Sequence, residues 1–284
     1  MVIALRLGLL YHQREIFYDY DWRTKWEIIL LVLALSIGGR IVAGVIWADI
    51  MNRLGSNVML LSHIQYYCTA RVLRRIPGKI WFIVGRGYLY SQDGDSFSLV
   101  AIASAIEFVI TLLSGVIVVL LTISYTIFDL SNPAYYVSLA AIAGFSILCI
   151  HPRTIARLAK RAGLADVPNL NYGTLLKWLV SYIIIWIIGG LMLYLVANIV
   201  IDVPYLHLGY IIGSWCLISI FSLATIAIPT NLGINDIGLA LLLMSILPGS
   251  LAAVIAVLFY LLALLYEFIG FLIIILILYI IRNR

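Results

Sequence analysis

Residues 250–281 run for 32 positions with a single charged side chain, Glu267. As one helix such a run is about 48 Å long at 1.5 Å per residue, longer than the roughly 30 Å hydrocarbon core of a bilayer. It must therefore tilt steeply, bend, or begin as a half-helix. Backbone amides at membrane depth have no water to bond, so a helix, which satisfies them internally, is the form this segment takes. The same reading upstream assigns spans to 28–49, 97–124, 134–150, 175–199 and 206–227. Only 11% of the 284 residues are charged and the mean hydropathy is +1.11, against about 25% charged in a soluble domain. The chain reads as one integral membrane domain over 1–284: an all-α polytopic membrane protein, a helical bundle with two re-entrant or broken-helix regions.

The loops give the bundle a direction. Across 151–177, Arg153, Arg157, Lys160, Arg161 and Lys177 stand against Asp166 alone, and short loops rich in Lys and Arg stay on the cytoplasmic side. The basic loop 151–173 is expected in the cytoplasm, with Arg53, Arg71, Arg74, Arg75 and Lys79, and with a C-terminus carrying Arg282 and Arg284. Connections 125–133 and 200–206 hold Asp129 and Asp202 and no Lys or Arg, so they are expected outside. Residues 1–25, interrupted by Arg6 and lacking a small-residue cleavage site, read as a short interfacial segment. The net charge of +5 falls mostly in loops, where it sets topology and meets anionic lipid rather than nucleic acid. Cys68, Cys149 and Cys216 form no CxxC pair and read as small apolar residues. Residues 154–161 read either as solvated loop or as a short amphipathic helix with Ile155 and Leu158 toward lipid. Gly209 and Gly213 supply one GxxxG, which suits close helix packing.

Two stretches, 57–92 and 228–249, fit no simple span. In the first, Pro77 removes an amide donor and disfavours helix at the residue before it, and Gly78 and Gly85 loosen the backbone, so a break is expected near Ile76. Arg71, Arg74, Arg75, Lys79 and Arg86 surround that break, interleaved with Trp81, Phe82, Tyr88 and Tyr90. Guanidinium forks match phosphate oxygens and aromatic rings favour the headgroup boundary; the same set also suits snorkelling charges on a peripheral helix. The second stretch opens IPTNLGINDIG. Pro229 ends a helix, Thr230 and Asn231 offer hydrogen-bonding groups, Gly233 admits an unusual dihedral, and Asn235 or Asp236 caps a short helix. That helix is too short to cross: it reads as a half-helix whose partner starts after Pro248-Gly249, or as an ordinary loop before a tilted helix. Both stretches place Ile-Pro at the break with Gly soon after, Ile76-Pro77 and Ile228-Pro229, one in each half of the chain, as expected of transporters built from repeats with discontinuous helices.

Charges within spans are expensive and are paired or wet. Arg40, Glu107 and Glu267 are the clearest, and Arg40 is expected to pair with Glu107 or Glu267. Such pairing would fix the fold, or make these residues, with Asn235 and Asp236, a polar path for a headgroup. No enzyme site emerges. His12, His63, His151 and His207 lack metal-site spacing, and no nucleophile elbow, phosphate loop or dinucleotide turn is present. Asp93 and Asp95 in SQDGD read as a turn rather than a cation-holding pair. No metal or cofactor is expected.

WADIMNRLG at 47–55, the Pro77-Gly78-Lys79 motif followed by Gly85-Arg86, the acid Glu107 in the next helix, and Pro229, Leu232, Gly233, Ile234 and Asp236 form a recurring pattern. In these residues the chain resembles the flippase-like family built on the transmembrane region of lysylphosphatidylglycerol synthase, over about Trp26 to Tyr279. The chain departs from that family's motif where Thr230 and Asn231 replace glycines, Asn235 replaces Arg, and Asp236 is one methylene shorter. The resemblance implies a prokaryotic cytoplasmic-membrane protein that moves an anionic phospholipid or prenyl-phosphate glycan between leaflets. Arg71, Arg74, Arg75, Lys79 and Arg86 would hold the headgroup, while the broken segments Pro77, Gly78, Gly85 and Pro229, Thr230, Asn231, Gly233 would expose backbone near the midplane. The alternative is a non-transporting partner that holds a membrane glycosyltransferase or presents its lipid substrate; a membrane transferase is a third, minor reading.

Overall fold

The computed structural model describes residues 25–72, 81–123, 151–161, 170–224 and 234–282, with isolated positions between 137 and 148. Among them the regular structure is helical: α1 (Trp26–Arg53), α2 (Leu60–Val72), α3 (Trp81–Ser91), α4 (Phe97–Thr122), α5 (Pro152–Arg161), α6 (Tyr172–Val200), α7 (Leu208–Ala224), α8 (Ile234–Leu243) and α9 (Gly249–Arg282). Five segments are long and apolar enough to cross a membrane: α1, α4, α6, α7 with the short 3-10 turn before it, and most of α9. The protein is thus an all-α, multi-spanning bundle. The final oily run is one continuous helix of 34 residues, preceded by a half-helix. The expected span at 134–150 and the segment 1–25 lie almost wholly outside the described residues. Residues 152–161 do form a helix, with Ile155 and Leu158 outside what is described.

Helix ends are written in the sequence. The Oγ of Ser96 accepts from the Leu99 amide at the start of α4, and the Oδ1 of Asn171 accepts from the Thr174 amide at 2.8 Å at the start of α6, each satisfying a donor the helix leaves open. At the end of α1 the Ser56 amide reaches the Met51 carbonyl and the Gly55 amide that of Asn52, with Gly55 at φ +100. This is a Schellman ending, which needs the left-handed conformation glycine tolerates. The end of α3 repeats it: Asp95 to Tyr90, Gly94 to Ser91, with Gly94 at φ +89.

The contacts set the direction of every helix. Between α1 and α6, Asp49 meets Trp178 and Lys25 meets Asn198, so the two run antiparallel. Between α4 and α6, Glu107 meets Tyr182 and Thr111 meets Trp186, so these run parallel. One end of the bundle holds Arg53, Asp95 and Lys177, and the contact of His151 with Tyr172 brings α5 with Arg153, Arg157, Lys160 and Arg161 to it, so this end is basic-rimmed; the other holds Lys25 and Asp202. From the basic-rimmed end α2 goes in and α3 comes back: His63 meets Tyr90 and Tyr66 meets Asp93, while Tyr67, further along α2, lies under Arg86. At about 20 and 16 Å, neither arm crosses a 30 Å core.

The second broken region does the same from the opposite end. A Cβ on Gly115 of α4 would touch Ile220, and one on Gly213 would meet Thr122, so α7 enters antiparallel to α4 and its described part reaches a turn beyond the level of Gly115. Then α8 returns along it: Asn235 donates to Ser222 at 3.1 Å, Gly238 packs on Ile218, and the Tyr210 hydroxyl donates to the Leu242 carbonyl at 2.9 Å. Tyr205–Leu223 is long and apolar enough to cross, as expected of the span read at 206–227, and α8 then runs back beside it, since Tyr210 near its start meets Leu242. The order helix, hairpin, helix thus occurs twice, as α1–α2/α3–α4 and α6–α7/α8–α9, in opposite directions.

Candidate functional site

Arg86 and Glu107 form the centre. The Arg86 Nη1 donates to Glu107 Oε2 at 2.6 Å, and the Tyr182 hydroxyl donates to Glu107 Oε1 at 3.1 Å. The guanidinium lies 3.9 Å from the Trp47 ring centroid and 4.6 Å from that of Tyr67, a desolvated cation on aromatic faces. Arg86 is 3% exposed, and its Nε is a buried donor with no partner among the described residues. Glu107 and Tyr182 each lie ten residues into their helices, about 15 Å below the basic-rimmed end, so the pair sits near mid-depth.

A second pair adjoins it. Arg71, at the deep end of α2, donates to the Tyr67 hydroxyl at 3.3 Å and places its Nε 3.8 Å from Glu267 Oε1 on α9. Arg40 donates from Nη1 to the main-chain carbonyl of Glu267 at 2.7 Å and from Nη2 to Ser36. The expectation for Arg40 thus takes a different form: it reaches the backbone of Glu267, while Arg71 meets the carboxylate. Five helices, α1, α2, α4, α6 and α9, with α3 between them, bring Arg40, Arg71, Arg86, Glu107 and Glu267 together.

The root of the first hairpin is a chain of oriented hydrogen bonds. The Trp47 Nε1–H donates to the Tyr90 hydroxyl at 2.8 Å; Tyr90 donates to His63 Nδ1 at 2.5 Å; His63 Nε2–H donates to Asn52 Oδ1 at 2.9 Å. Each group is used once in the sense a neutral imidazole allows. His63, outside the five spans and fully buried, is pushed down to about 4 by that burial, with the nearby Asp93 charge pulling the other way. Ser56 donates to Asp95 at 2.5 Å across the two glycine turns, and burial raises the Asp95 carboxyl. Asp93 accepts from Tyr66; among the described residues no group of three or more His, Cys, Asp or Glu side chains is placed to hold a metal.

Of the headgroup set, Arg71 and Arg86 are placed at this cluster, and Gly85 lies on α3 beside it. Arg74, Arg75, Pro77, Gly78 and Lys79 lie outside the described residues. Pro229, Thr230, Asn231 and Gly233 likewise lie outside them. Asn235 and Asp236 stand in the first turn of α8, and Asp236 is buried. Sequence reasoning missed Trp47, Tyr67, Tyr182 and the His63–Tyr90 link. Their signal was faint: aromatic side chains with one polar handle, inside apolar runs that also carry a charge.

No protein-family model, no curated protein and no solved structure matches the chain.

Proposed function

We propose that the protein moves an anionic phospholipid or lipid-linked glycan between the leaflets of the membrane. The observation that carries this reading is the pair of oppositely directed hairpins, α2/α3 and α7/α8, with the arginine-rich cluster at the deep end of the first. Hairpins that enter from opposite ends suit alternating access, in which each side is closed by a different element. Arginines at mid-depth are expensive unless they serve a ligand or fix a fold. Arg71, whose side chain is 36% exposed, is the more open of the two ion-paired arginines of the cluster, so it is the natural contact for a phosphate, with Arg74, Arg75 and Lys79 following it in the sequence. The acyl or prenyl tails stay in lipid while the headgroup crosses. The basic-rimmed end is the cytoplasmic one. A glycosyltransferase partner fits the same surroundings and is not needed for crossing.

The test is a vesicle assay with purified, folded protein and leaflet-labelled lipids: phosphatidylglycerol, phosphatidylcholine and a short prenyl-phosphate glycan. Faster crossing of the anionic lipids than of phosphatidylcholine is expected. No acceleration for any headgroup would leave a partner-holding role as the better reading.

A further inference from the structure

We propose that Glu267 takes up a proton when an anionic headgroup binds at Arg71, so that headgroup and proton cross together. This rests on the lipid-moving reading above and supplies its energy source.

The two described ion pairs of the cluster differ in how open their arginines are. Glu107 is gripped by Arg86 at 2.6 Å and by the Tyr182 hydroxyl, and the Arg86 side chain is 4% exposed. Glu267 stands 3.8 Å from Arg71, the more exposed arginine. An anion that contacts Arg71 therefore arrives beside the Glu267 carboxylate, and a like charge at about 4–6 Å raises a carboxylate's affinity for a proton. At mid-depth the surroundings screen that repulsion poorly. Protonation removes it. The proton comes from water at the binding face, forms an O–H bond on Glu267, and returns to water at the other face; no bond of the lipid changes.

The groups around Glu267 agree with this. From α1 come Arg40, on its main-chain carbonyl, and Ser36. From α2 come Arg71, Tyr67 and Cys68. Beyond them lie Arg86 of α3, Glu107 of α4 and Tyr182 of α6, and α8 carries Asp236 as its ionisable residue. The histidine at the hairpin root is occupied by Tyr90 and Asn52. Of the two described ion pairs of the cluster, the one that Glu267 makes has the more exposed arginine.

Linkage makes the claim measurable in both directions: if ligand binding takes up a proton, acid must tighten ligand binding. Short-chain dihexanoylphosphatidylglycerol, farnesyl phosphate and inorganic phosphate are titrated into the detergent-solubilised protein in weak buffer, with released or absorbed protons read by a pH dye. Expected is uptake approaching one proton per bound lipid anion, and an affinity that rises by up to about tenfold per unit fall in pH within the titration range of the carboxylate. Glu267→Gln, which imitates the protonated form, is expected to bind without proton uptake and without that pH dependence. Saturable binding by the wild type with no proton uptake overturns the inference and leaves the lipid-moving reading standing. Uptake that persists in a folded Glu267→Gln overturns the assignment to this residue. No binding or crossing of any lipid anion by the wild type overturns both. Inorganic phosphate that binds with proton uptake while neither lipid anion binds would assign the proton to phosphate recognition rather than to a lipid headgroup and would overturn the co-crossing. The wild-type titration decides by itself should the variant fail to fold.

Discussion

Arg86→Met and Glu107→Leu, singly and together, test whether the central pair behaves as a buried ion pair. Each single change leaves the other charge in a dry interior, a loss of about 3–5 kcal/mol. Arg86→Met also gives up stacking on Trp47 at 3.9 Å and Tyr67 at 4.6 Å, worth up to about 2 kcal/mol when desolvated. Glu107→Leu orphans the Tyr182 hydroxyl, a further loss of about 1–3 kcal/mol. The double variant keeps these secondary losses and sheds the uncompensated charge. It should therefore be more stable than the sum of the singles by at least about 3 kcal/mol, the upper end for ordinary neighbouring residues. Reversible unfolding in mixed micelles of an ionic detergent reads all four proteins. Additive losses, or single changes below about 1 kcal/mol, would refute the pair as a desolvated contact. The vesicle assay on the double variant then separates two roles. Crossing should stay lost while stability returns; crossing that returns with stability would make the pair a scaffold.

Gly190→Ala places a Cβ 2.6 Å from the Ile212 Cα and should cost about 1–3 kcal/mol, since backbone cannot move aside. Gly209→Ala, whose nearest neighbour is a carbonyl at 3.9 Å, should be neutral or stabilising by up to about 1 kcal/mol in the same unfolding assay. His63 is held neutral, so its contribution is fully present above its ordinary value of about 6.5 and is lost as pH falls toward about 4. Stability should fall through that window by no more than about 1.4 kcal/mol per pH unit, and His63→Gln should flatten the profile; an unchanged slope would refute the oriented chain. Cysteines at Tyr205 and Met244, which are 84% and 51% exposed, should react with an impermeant maleimide from one face of sealed vesicles, and a cysteine at Tyr172 from the other. Met244 reacting with Tyr172 would refute the return of α8.

Much of the bundle was legible because its rules are local. Long apolar runs locate α1, α4, α6 and α9, and Ser96 and Asn171 mark where helices start. The two broken regions were legible as breaks, since Pro77 and Pro229 interrupt runs that hydropathy alone would continue. What hydropathy does not encode is direction after a break. A run of 17 apolar residues in α7 looks like a crossing, and only the contacts of Tyr210, Ser222 and Ile218 with α8 show the chain turning back. The charges inside spans were equally visible, but not their partners. Arg40, Glu107 and Glu267 are far apart in sequence, and two arginines of the short hairpin arms, Arg71 and Arg86, supply the side-chain pairing. Pairing at that range depends on which helix faces touch, which periodicity constrains weakly when both faces are apolar.

The two hairpins share a direction rule and differ in chemistry, and the difference bears on how the proposed crossing would release an anion. The described arms of the first contribute Arg71 and Arg86; those of the second contribute Asn235, which bonds Ser222, and the buried Asp236. An anion held by the first hairpin meets no cation from the described part of the second, so closing one gate and opening the other need not trade one tight grip for another. Asn235→Arg, the residue the resembled motif carries, would add such a grip at the deep end of α8. A charge-assisted hydrogen bond of about 1.5–3 kcal/mol corresponds to tighter binding by roughly tenfold or more. Binding that tightens the ground state without helping the crossing slows turnover, so Asn235→Arg should raise affinity for dihexanoylphosphatidylglycerol while lowering the rate of leaflet exchange. Unchanged affinity and rate would place Asn235 outside the path and return α8 to the role of a packing element.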